Sequence, residues 1–361
     1  MTTPAGVPRV VLVTGVARYL GAHLAARLAA DPQIDRVIGV DVATPSAETA
    51  RLLHGVELRP IDLRSPGVLR VLVDAQVEGV AHLGVATAAD PHSGGRAAMK
   101  EHNVIGTLQL LAACQQAPLV NKLVVRSSTA AYGASFRDPA IFTEDTEPRA
   151  VPRGGFAKDV LDIEGYVRGF RRRRPDVAAT VLRFAPFIGS SADTRLLRYF
   201  AAPLVPTVFG RDPRLQFVHV DDAFEVLLRA VLEWHPGTFN VAGSGVLTLS
   251  QAVRRAGRIA VPIPEAGLST LATAAKRAVS LDQLDLFVHG RVVDTTRLVK
   301  EFGFEPRTTA DAFDEFIAAQ RSGALLGQEV VRAAERVILD RIRQVRAARA
   351  ALETALESER D

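Results

Sequence analysis

Six short apolar runs, each separated from the next by a segment long enough for a helix, limit most strongly what this chain can fold into. The runs largely lack the alternation of apolar and polar residues that marks a strand with one solvated face, so we interpret them as strands buried on both faces. Strands of this kind, alternating with helical segments, predict a doubly wound α/β domain with a parallel sheet. The runs are residues 10–13, 37–40, 56–58, 80–83, 123–125 and 179–182, and the longest helical patterns between them span 94–116 and 156–174.

Charge and hydropathy exclude several classes of function. Lys and Arg number 44 against 40 Asp and Glu, and an excess of four charges over 361 residues does not make a nucleic-acid-binding face. No run of about eighteen apolar residues occurs, so we expect no membrane span. The eight histidines show no spacing with carboxylates that suggests a metal site. The single cysteine, Cys114, can form no internal disulfide, which fits a cytoplasmic protein.

Directly after the first apolar run, Thr14 opens a strand-to-helix turn that contains Gly15 and Gly21. Glycine permits positive φ and lets bare backbone approach a diphosphate, while the N-terminus of the following helix supplies unpaired N–H groups. Asp41 ends the second run, where its carboxylate can accept both hydroxyls of an adenosine ribose. This order of strand, glycine turn, helix, strand and aspartate predicts a dinucleotide site in a Rossmann-type domain.

The same turn carries information about which dinucleotide binds. The carboxylate of Asp41 would repel a 2′-phosphate, so we expect NAD rather than NADP. Arg18 occupies the position of the middle glycine of the usual fingerprint, and its side chain either crowds the diphosphate or swings outward and pairs with it. The residues of the turn that we expect to contact the cofactor are Gly15, Arg18, Tyr19, Leu20 and Gly21.

The regular alternation ends after residue 186, which predicts a second, smaller lobe. We expect residues 1–186 with 217–242 to form the NAD(P)-binding domain, and 187–216 with 243–325 to form a substrate-binding lobe over the carboxyl edge of the sheet. In 326–361, apolar residues recur at spacings of three and four, which predicts a long amphipathic helix. That helix either packs against its own domain or a partner subunit, or forms a partly frayed tail.

Ten stretches of the sequence resemble a known family, the extended short-chain dehydrogenase/reductases, and within it the NAD-dependent epimerase/dehydratase group typified by UDP-sugar 4-epimerases. The resemblance implies oxidoreductase, epimerase or dehydratase chemistry on a small hydroxyl-bearing substrate such as a nucleotide sugar, with NAD as cofactor. It covers residues 9–320, and its stretches, in the family's order, are VLVTGVARYLG, VIGVD, PIDLR, GVAHLGVA, NVIGTLQLLAAC, KLVVRSSTAAYG, FAKDVLDIEGYV, VLRFAPFIG, QFVHVDDA and GTFNVAGSG.

The resemblance assigns further cofactor contacts to two places in the chain. Asp62 and Leu63 resemble the pair that flanks the adenine ring. Leu83, Gly84 and Val85 resemble the backbone that passes beside the diphosphate and ribose, although the family usually has alanines after the leucine.

The resemblance also assigns catalytic roles. Asn103, which opens NVIGT, resembles the helix asparagine of the catalytic tetrad. Ser128 resembles the serine that hydrogen-bonds the substrate hydroxyl. Lys158 resembles the lysine that holds the nicotinamide ribose and lowers the pKa of the catalytic tyrosine.

The catalytic tyrosine itself is missing. In the family it lies four residues before the lysine, where this chain has Gly154, and none of the four tyrosines here is followed by lysine four residues later. Hydride transfer from an alcohol requires removal of the hydroxyl proton, and loss of a positioned general base costs about 10²–10⁴-fold in rate. Three alternatives stay open: Tyr132 is the base, a water held by Ser128 and Lys158 replaces the phenol, or no family-type redox chemistry occurs.

Substrate-side positions depart from the family as well. The asparagine that holds the substrate in nucleotide-sugar epimerases is Pro186 here. The arginine expected four residues before His219 is Leu215, with Arg214 one position off, so a UDP diphosphate is poorly provided for.

Two functions remain compatible with these residues. The first is an NAD(P)-dependent enzyme with a rearranged active site, and the second is a binding protein that keeps the NAD site and reports cofactor state or serves as a scaffold. In both cases the resemblance implies a homodimer, with apolar interface surface from Leu108, Leu110, Leu111, Val160, Leu161 and Ile163.

Overall fold

A seven-stranded parallel sheet is the centre of the computed structural model, which describes residues 6–90, 94–149, 151–152, 155–189, 199–200, 202–264 and 286–319. All six apolar runs predicted as strands are strands of this sheet, and one unpredicted strand joins its edge. The strands are β1 (Val10–Thr14), β2 (Arg36–Asp41), β3 (Val56–Pro60), β4 (Gly79–His82), β5 (Lys122–Ser128), β6 (Ala178–Phe184) and, after four short strands described below, β11 (Gly237–Val241). Their order across the sheet is β11-β6-β5-β4-β1-β2-β3, and every neighbouring pair is parallel.

Helices cover both faces of the sheet, which explains why its strands are apolar on both sides. Along β1, Val13 packs into the core beneath one layer of helices and Leu12 into the core beneath the other. The first layer holds α1 (Tyr19–Ala29) and α7 (Val220–Leu232), and the second holds α3 (Gly67–Asp74), α5 (Gly106–Gln116) and α6 (Gly155–Arg173). The shorter helices of this half are α2 (Ala47–Leu52), α4 (Gly95–Lys100) and a π-helical turn, Glu101–Ile105, between α4 and α5.

Where the structure describes it, the smaller lobe consists of short paired strands and helices. Its strands form three two-stranded sheets, which pair β7 with β10, β9 with β12, and β8 with β13. Phe313 joins the pieces of this lobe, because its ring contacts both Phe200 at 5.1 Å and Phe217 at 5.8 Å between centroids. The elements are β7 (Phe187–Ile188), β8 (Leu204–Val208), β9 (Arg214–Leu215), β10 (Val218–His219), β12 (Leu247–Thr248), β13 (Ile259–Ile263), α8 (Leu249–Arg255), α9 (Thr296–Phe302) and α10 (Thr309–Ala319). The helix predicted for 326–361 lies outside the described residues.

The predicted interface residues on α5 and α6 need correction. Leu110, Leu111, Val160 and Ile163 are each at most 4% exposed and belong to the core beneath α5 and α6, so the prediction that they supply subunit-interface surface is wrong. The reason is that α5 packs against α3 as well as α6, which buries apolar residues on two of its sides. Leu108 is 38% exposed, and Leu161 is half-buried.

The strand order reverses between β1 and β4, and this reversal opens a crevice at their carboxyl ends. In doubly wound sheets ligands bind at such a switch point. Thr14 at the end of β1 and His82 at the end of β4 are partners in the sheet register and therefore face this crevice together. Across the described segments, no helix has both the length and the apolar character needed to cross a membrane.

Candidate functional site

Two glycines of the strand-to-helix turn are required by their surroundings. Gly15 has φ +78°, and a Cβ there would lie 2.6 Å from the Cα of Gly84. A Cβ on Gly21 would lie 2.2 Å from the carbonyl oxygen of Gly15. Both distances are far below a van der Waals contact, so the turn and the start of α1 can pack this closely only with glycine at both positions.

The start of α1 is left open to a ligand. Arg18 is the N-cap residue in extended conformation, and its side chain forms no capping hydrogen bond with the first turn of the helix. An uncapped helix N-terminus presents unpaired N–H groups and a partial positive charge to its surroundings. Leu20 packs into the core, while the ring of Tyr19 lies against His23 and Phe224 at 4.3 and 5.8 Å between centroids.

Asp41 ties the turn to the end of β2. Its Oδ2 accepts a hydrogen bond from the Ala17 amide at 3.0 Å, and its Oδ1 accepts one from the Ala43 amide at 3.0 Å. The half-buried carboxylate also lines a cavity of about 280 Å³, together with Arg18. The structure therefore brings Arg18 and Asp41 together at one cavity, and the bond from Ala17 ties the glycine turn to Asp41.

The wall of this cavity opposite β2 includes residues that the sequence analysis did not predict. His102 lies in the π-helical turn, and its Nε2 is 2.8 Å from the carbonyl oxygen of Gly84. Arg64 also lines the cavity, and its guanidinium binds the carboxylate of Asp62 at 2.6 Å. That ion pair lowers the pKa of Asp62 below its ordinary value. Leu63 is buried beneath this loop.

A buried hydrogen-bonded chain links the glycine turn to the π-helical turn. Thr14 Oγ1 accepts from the amides of Leu83 and Gly84 at 3.1 and 3.0 Å, so its own proton goes to Nδ1 of His82, 2.8 Å away. Nε2 of His82 then carries the other proton and donates to Thr107 Oγ1 at 2.8 Å. Burial lowers the pKa of His82 to about 3, which keeps the ring in this neutral form.

Asn103 lies in the π-helical turn and is 1% exposed. Its Oδ1 accepts from the Ala86 amide at 2.7 Å, and its Nδ2 donates to the Ala86 carbonyl and to Asp159 Oδ2, both at 2.9 Å. Asp159 is fully buried and also binds the guanidinium of Arg96, which donates to the carbonyl of Gly155 as well. The amide of Asn103 is thus committed to holding the loop after β4 against the start of α6.

Ser128 and Lys158 retain polar groups at the carboxyl edge. Ser128 is half-buried, ends β5, and accepts a hydrogen bond from the Ala130 amide at 3.1 Å, which leaves its own proton for another acceptor. Lys158, near the start of α6, donates to the carboxylate of Asp162 one turn later. Gly154, which stands where the family has tyrosine, lies outside the described residues.

Tyr132 is not available as a general base. It is 1% exposed, its hydroxyl lies 2.7 Å from Asn240 Oδ1, and it accepts a hydrogen bond from Arg183 at 2.8 Å. Burial raises the pKa of this phenol above its ordinary value, which opposes proton abstraction. The first of the three alternatives for the missing base is therefore excluded.

The substrate-side positions offer few cationic groups. Leucine at position 215 has no guanidinium to replace the family's arginine, and its side chain is fully buried. Arg214 is exposed, and its guanidinium donates to the carbonyl of Ala140 at 2.7 Å. The residues that the structure describes contain no group of three or more His, Cys, Asp or Glu side chains that could hold a metal ion.

One cation at the carboxyl edge was missed by the sequence analysis. Arg126 lies in β5, two residues before Ser128, and donates to the carbonyl oxygen of Val85 at 3.0 Å. The signal was available, because Arg126 directly follows the apolar run 123–125 of a central strand, and burying a charged residue there is unfavourable unless it is paired.

One family model and two known proteins illustrate what the sequence of this chain is similar to. Residues 11–242 match the model of the NAD dependent epimerase/dehydratase family. The uncharacterized protein Rv0501 of Mycobacterium tuberculosis is 47% identical over 334 residues, which cover 91% of this chain and 88% of that protein. UDP-glucose 4-epimerase 2 of Oryza sativa is 31% identical over 199 residues, 52% of this chain and 47% of the rice protein.

Solved structures show the same fold. The UDP-glucose 4-epimerase of Thermotoga maritima, determined with UDP-glucose, superposes with a TM-score of 0.67 at 20% identity, covering 87% of this chain and 99% of that one. The UDP-glucose 4-epimerase of Thermus thermophilus, determined in complex with NAD, has a TM-score of 0.66 at 22% identity, covering 86% and 99%.

Proposed function

We propose that this chain, which belongs to the NAD-dependent epimerase/dehydratase family, binds NAD at the carboxyl edge of its sheet. We further propose that it acts as an oxidoreductase or epimerase on a small hydroxyl-bearing molecule. The joint placement of the Gly15–Gly21 turn and Asp41 carries the proposal, because Asp41 accepts from the Ala17 amide within the turn and lines a cavity with Arg18, the N-cap residue of α1. A diphosphate needs close backbone approach and N–H donors, and an adenosine ribose needs an acceptor beside them.

The residues present fit NAD at both ends. The amides at the start of α1 would hold the diphosphate, and Asp41 would accept from the adenosine ribose while repelling the 2′-phosphate of NADP. Lys158 would donate to the nicotinamide ribose in competition with its present partner, Asp162. When bound, NAD supplies a hydride acceptor and donor.

The protein's own contribution to the reaction is to orient the substrate and to remove a proton. Ser128, at the end of β5, keeps a proton and a lone pair with which it would hold the substrate hydroxyl. Since Tyr132 is buried and Gly154 has no side chain, a water held by Ser128 and Lys158 would pass the hydroxyl proton on to solvent. The ammonium of Lys158 would stabilise the negative charge that develops on the substrate oxygen.

A second candidate is an NAD-binding protein without turnover. Two observations favour it: the phenol of Tyr132 cannot replace the missing base, and Leu215 provides no cation for a nucleotide diphosphate. In that case the cavity would bind cofactor, and the retained Asn103 would serve only to hold the loop after β4 in place.

The released-nucleotide assay separates the two candidates. Purified protein is denatured, the supernatant is assayed for NAD and NADP, and intact protein is offered nucleotide sugars and simple polyols while nicotinamide absorbance is followed. NAD in the supernatant together with a redox change or an epimerised product supports the enzyme. NAD release with no change on any substrate supports the binding protein. Calorimetry in which neither NAD nor NADP binds would refute both.

Restoring the missing side chain tests the mechanism from the other direction. Gly154→Tyr supplies a phenol four residues before Lys158, and we expect it to raise turnover by up to the 10²–10⁴-fold that a positioned base contributes. The double variant Gly154→Tyr with Ser128→Ala is the control, and it should lose that gain. If turnover is seen only in Gly154→Tyr, the natural protein is the NAD-binding protein rather than the enzyme.

Domain roles, assembly and location complete the proposal. Residues 1–186 with 217–242 would bind the cofactor, and 187–216 with 243–325 would close over the substrate. The exposed Ile105 and Leu108, on the outer side of the π-helical turn and α5, support a homodimer whose contact is smaller than the one first expected. A buried, unpaired Cys114 supports a cytoplasmic location.

A further inference from the structure

We propose that Arg126, together with Arg18, binds an anionic group of a ligand, a phosphate or a carboxylate, at the carboxyl edge of the sheet. This inference rests on the proposed function and deepens it, because it assigns a negative charge to the ligand beside Ser128. Two sources could provide that charge: the diphosphate of the cofactor or an acidic group of the substrate. The sequence pattern that marks the family does not require a cation here.

Strand geometry places Arg126 on the cofactor side of the sheet. Side chains two residues apart on a strand point to the same face. Val124 belongs to the core beneath α1 and α7, whereas Val125 belongs to the core on the opposite face. Arg126 therefore lies on the face of α1, one position beyond the last residue of β5 that pairs with β4.

The guanidinium of Arg126 is incompletely satisfied. One terminal nitrogen donates to the carbonyl of Val85, and the group lies 5.7 Å from the ring centroid of Phe187. Its Nε is buried without a hydrogen-bond partner. Within the described residues no carboxylate forms an ion pair with Arg126 or with Arg18. Burial, and after it the like charge of Arg18, lowers the pKa of Arg126 to about 10.

Two other arginines, one in the sheet and one in α6, have guanidinium groups whose hydrogen-bonding needs are met. Arg183, in β6, donates to both carboxylate oxygens of Glu164. Arg171, in α6, lacks a hydrogen-bonded carboxylate, but all three of its nitrogens have acceptors: the Ala179 carbonyl, the Thr238 hydroxyl and the Gly237 carbonyl. Arg126 has neither a carboxylate nor a full set of acceptors.

An unpaired, partly buried cation next to a second cation is unfavourable unless an anion compensates both. An anion bound between Arg126, Arg18 and the uncapped start of α1 would receive charge-assisted hydrogen bonds from two guanidinium groups and from backbone amides. The two unpaired guanidinium groups lower the stability of the protein without ligand, and a bound anion removes that unfavourable free energy, as is common at binding sites.

The experiment compares Arg126→Met with the wild-type chain, because methionine keeps the aliphatic volume and removes the charge. The control is Arg70→Met, which removes one positive charge from the exposed side of α3, where no ion pair is formed. Binding of inorganic pyrophosphate, ADP-ribose and NAD is measured by calorimetry at fixed low salt, and thermal unfolding is measured without ligand. A charge-assisted hydrogen bond of about 1.5–3 kcal/mol corresponds to a loss of about 10- to 150-fold in affinity.

Each outcome decides a part of the proposal. Weaker binding of pyrophosphate, ADP-ribose and NAD by Arg126→Met, with a higher unfolding temperature of its empty form, supports the site and assigns it to the cofactor diphosphate. Unchanged NAD affinity, with loss of pyrophosphate or citrate binding to the NAD-saturated protein, supports the site and assigns it to an acidic substrate group. Equal affinities for every probe in Arg126→Met, Arg70→Met and wild type would overturn the proposal. If wild type binds pyrophosphate through Arg126 but binds no NAD, the proposed function fails while the anion site stands.

Discussion

The side-chain amide of Asn103 brackets the backbone of Ala86, with Oδ1 2.7 Å from the amide nitrogen and Nδ2 2.9 Å from the carbonyl oxygen. The same Nδ2 reaches the buried carboxylate of Asp159, so one amide joins the loop after β4 to α6. All of its described hydrogen bonds are to the protein itself. The family resemblance assigns this asparagine to a catalytic tetrad, and its geometry here is that of a residue that positions other groups.

Replacing Asn103 should therefore lower the free energy of unfolding rather than remove a group that takes part in the reaction. Asn103→Ala leaves the polar groups of Ala86 without partners in the interior, and each such loss costs about 1–3 kcal/mol. We expect the free energy of unfolding, measured with urea, to fall by about 3–5 kcal/mol. Gln109→Ala, on the exposed side of α5, is the matched control and should change it by less than about 0.5 kcal/mol. A fully stable Asn103→Ala would contradict the positioning role.

The glycine turn gives a second prediction. Gly15→Ala requires a side chain at φ +78° and places its Cβ 2.6 Å from the Cα of Gly84, so both strain and a backbone clash result. We expect a loss of about 2–5 kcal/mol of stability and loss of NAD binding. Gly210→Ala is the control, because Gly210 has φ +74° with no atom within 4 Å of the added Cβ. It should cost only the backbone strain of about 1–2 kcal/mol and leave NAD binding unchanged.

The parts of the fold that could be predicted from the sequence are those set by interactions between residues close in the chain. The six apolar runs and the turn from Gly15 to Gly21 were predictable, because burial on two faces and close backbone approach each leave a short, contiguous pattern. The edge strand β11 was not, since Gly237–Val241 mixes small, polar and apolar residues and is buried only in its last three positions.

The site contains interactions that a linear pattern does not encode. Asn103 bonds Ala86 seventeen residues away and Asp159 fifty-six residues away, and only the packing of α6 beside the π-helical turn brings them together. The bonds between Arg96 and Asp159 have the same origin. The family resemblance found Asn103 by its motif, yet its actual partners required the fold.

Titration of His82 gives a prediction about pH. Its pKa is about 3 in the folded protein and near 6.5 when unfolded, so below pH 6.5 the unfolded chain binds a proton that the folded chain does not. Stability from this residue is fully present above pH 6.5 and falls as the pH decreases toward 3, by about 1.4 kcal/mol per pH unit. The measurement is urea unfolding of wild type and His82→Gln between pH 4 and 7. The free energy of unfolding of His82→Gln should fall less steeply with decreasing pH than that of wild type, by the slope that one bound proton produces. Parallel curves would show that His82 is not the source of this pH dependence.

Lys122 gives a prediction of the same sign at high pH: stability should again rise with pH. This lysine at the start of β5 is 1% exposed, its Nζ has no hydrogen-bond partner, and burial lowers its pKa to about 8 from 10.5. The cost of burying the charged form is fully present below pH 8, and it disappears as the pH rises from 8 to 10.5, where the unfolded chain still binds the proton. Wild-type stability should therefore gain a contribution from this residue over that range.

Methionine at this position isolates the effect, because it keeps the aliphatic stem and removes the ammonium. We expect Lys122→Met to be more stable than wild type at pH 7 and to lack the gain between pH 8 and 10.5. Lys100→Met, at an exposed position of α4, is the control and should follow the wild-type curve throughout. If Lys122→Met is less stable than wild type at pH 7, the ammonium must have a partner in the folded protein. The charge at position 122 would then stabilise the fold rather than destabilise it.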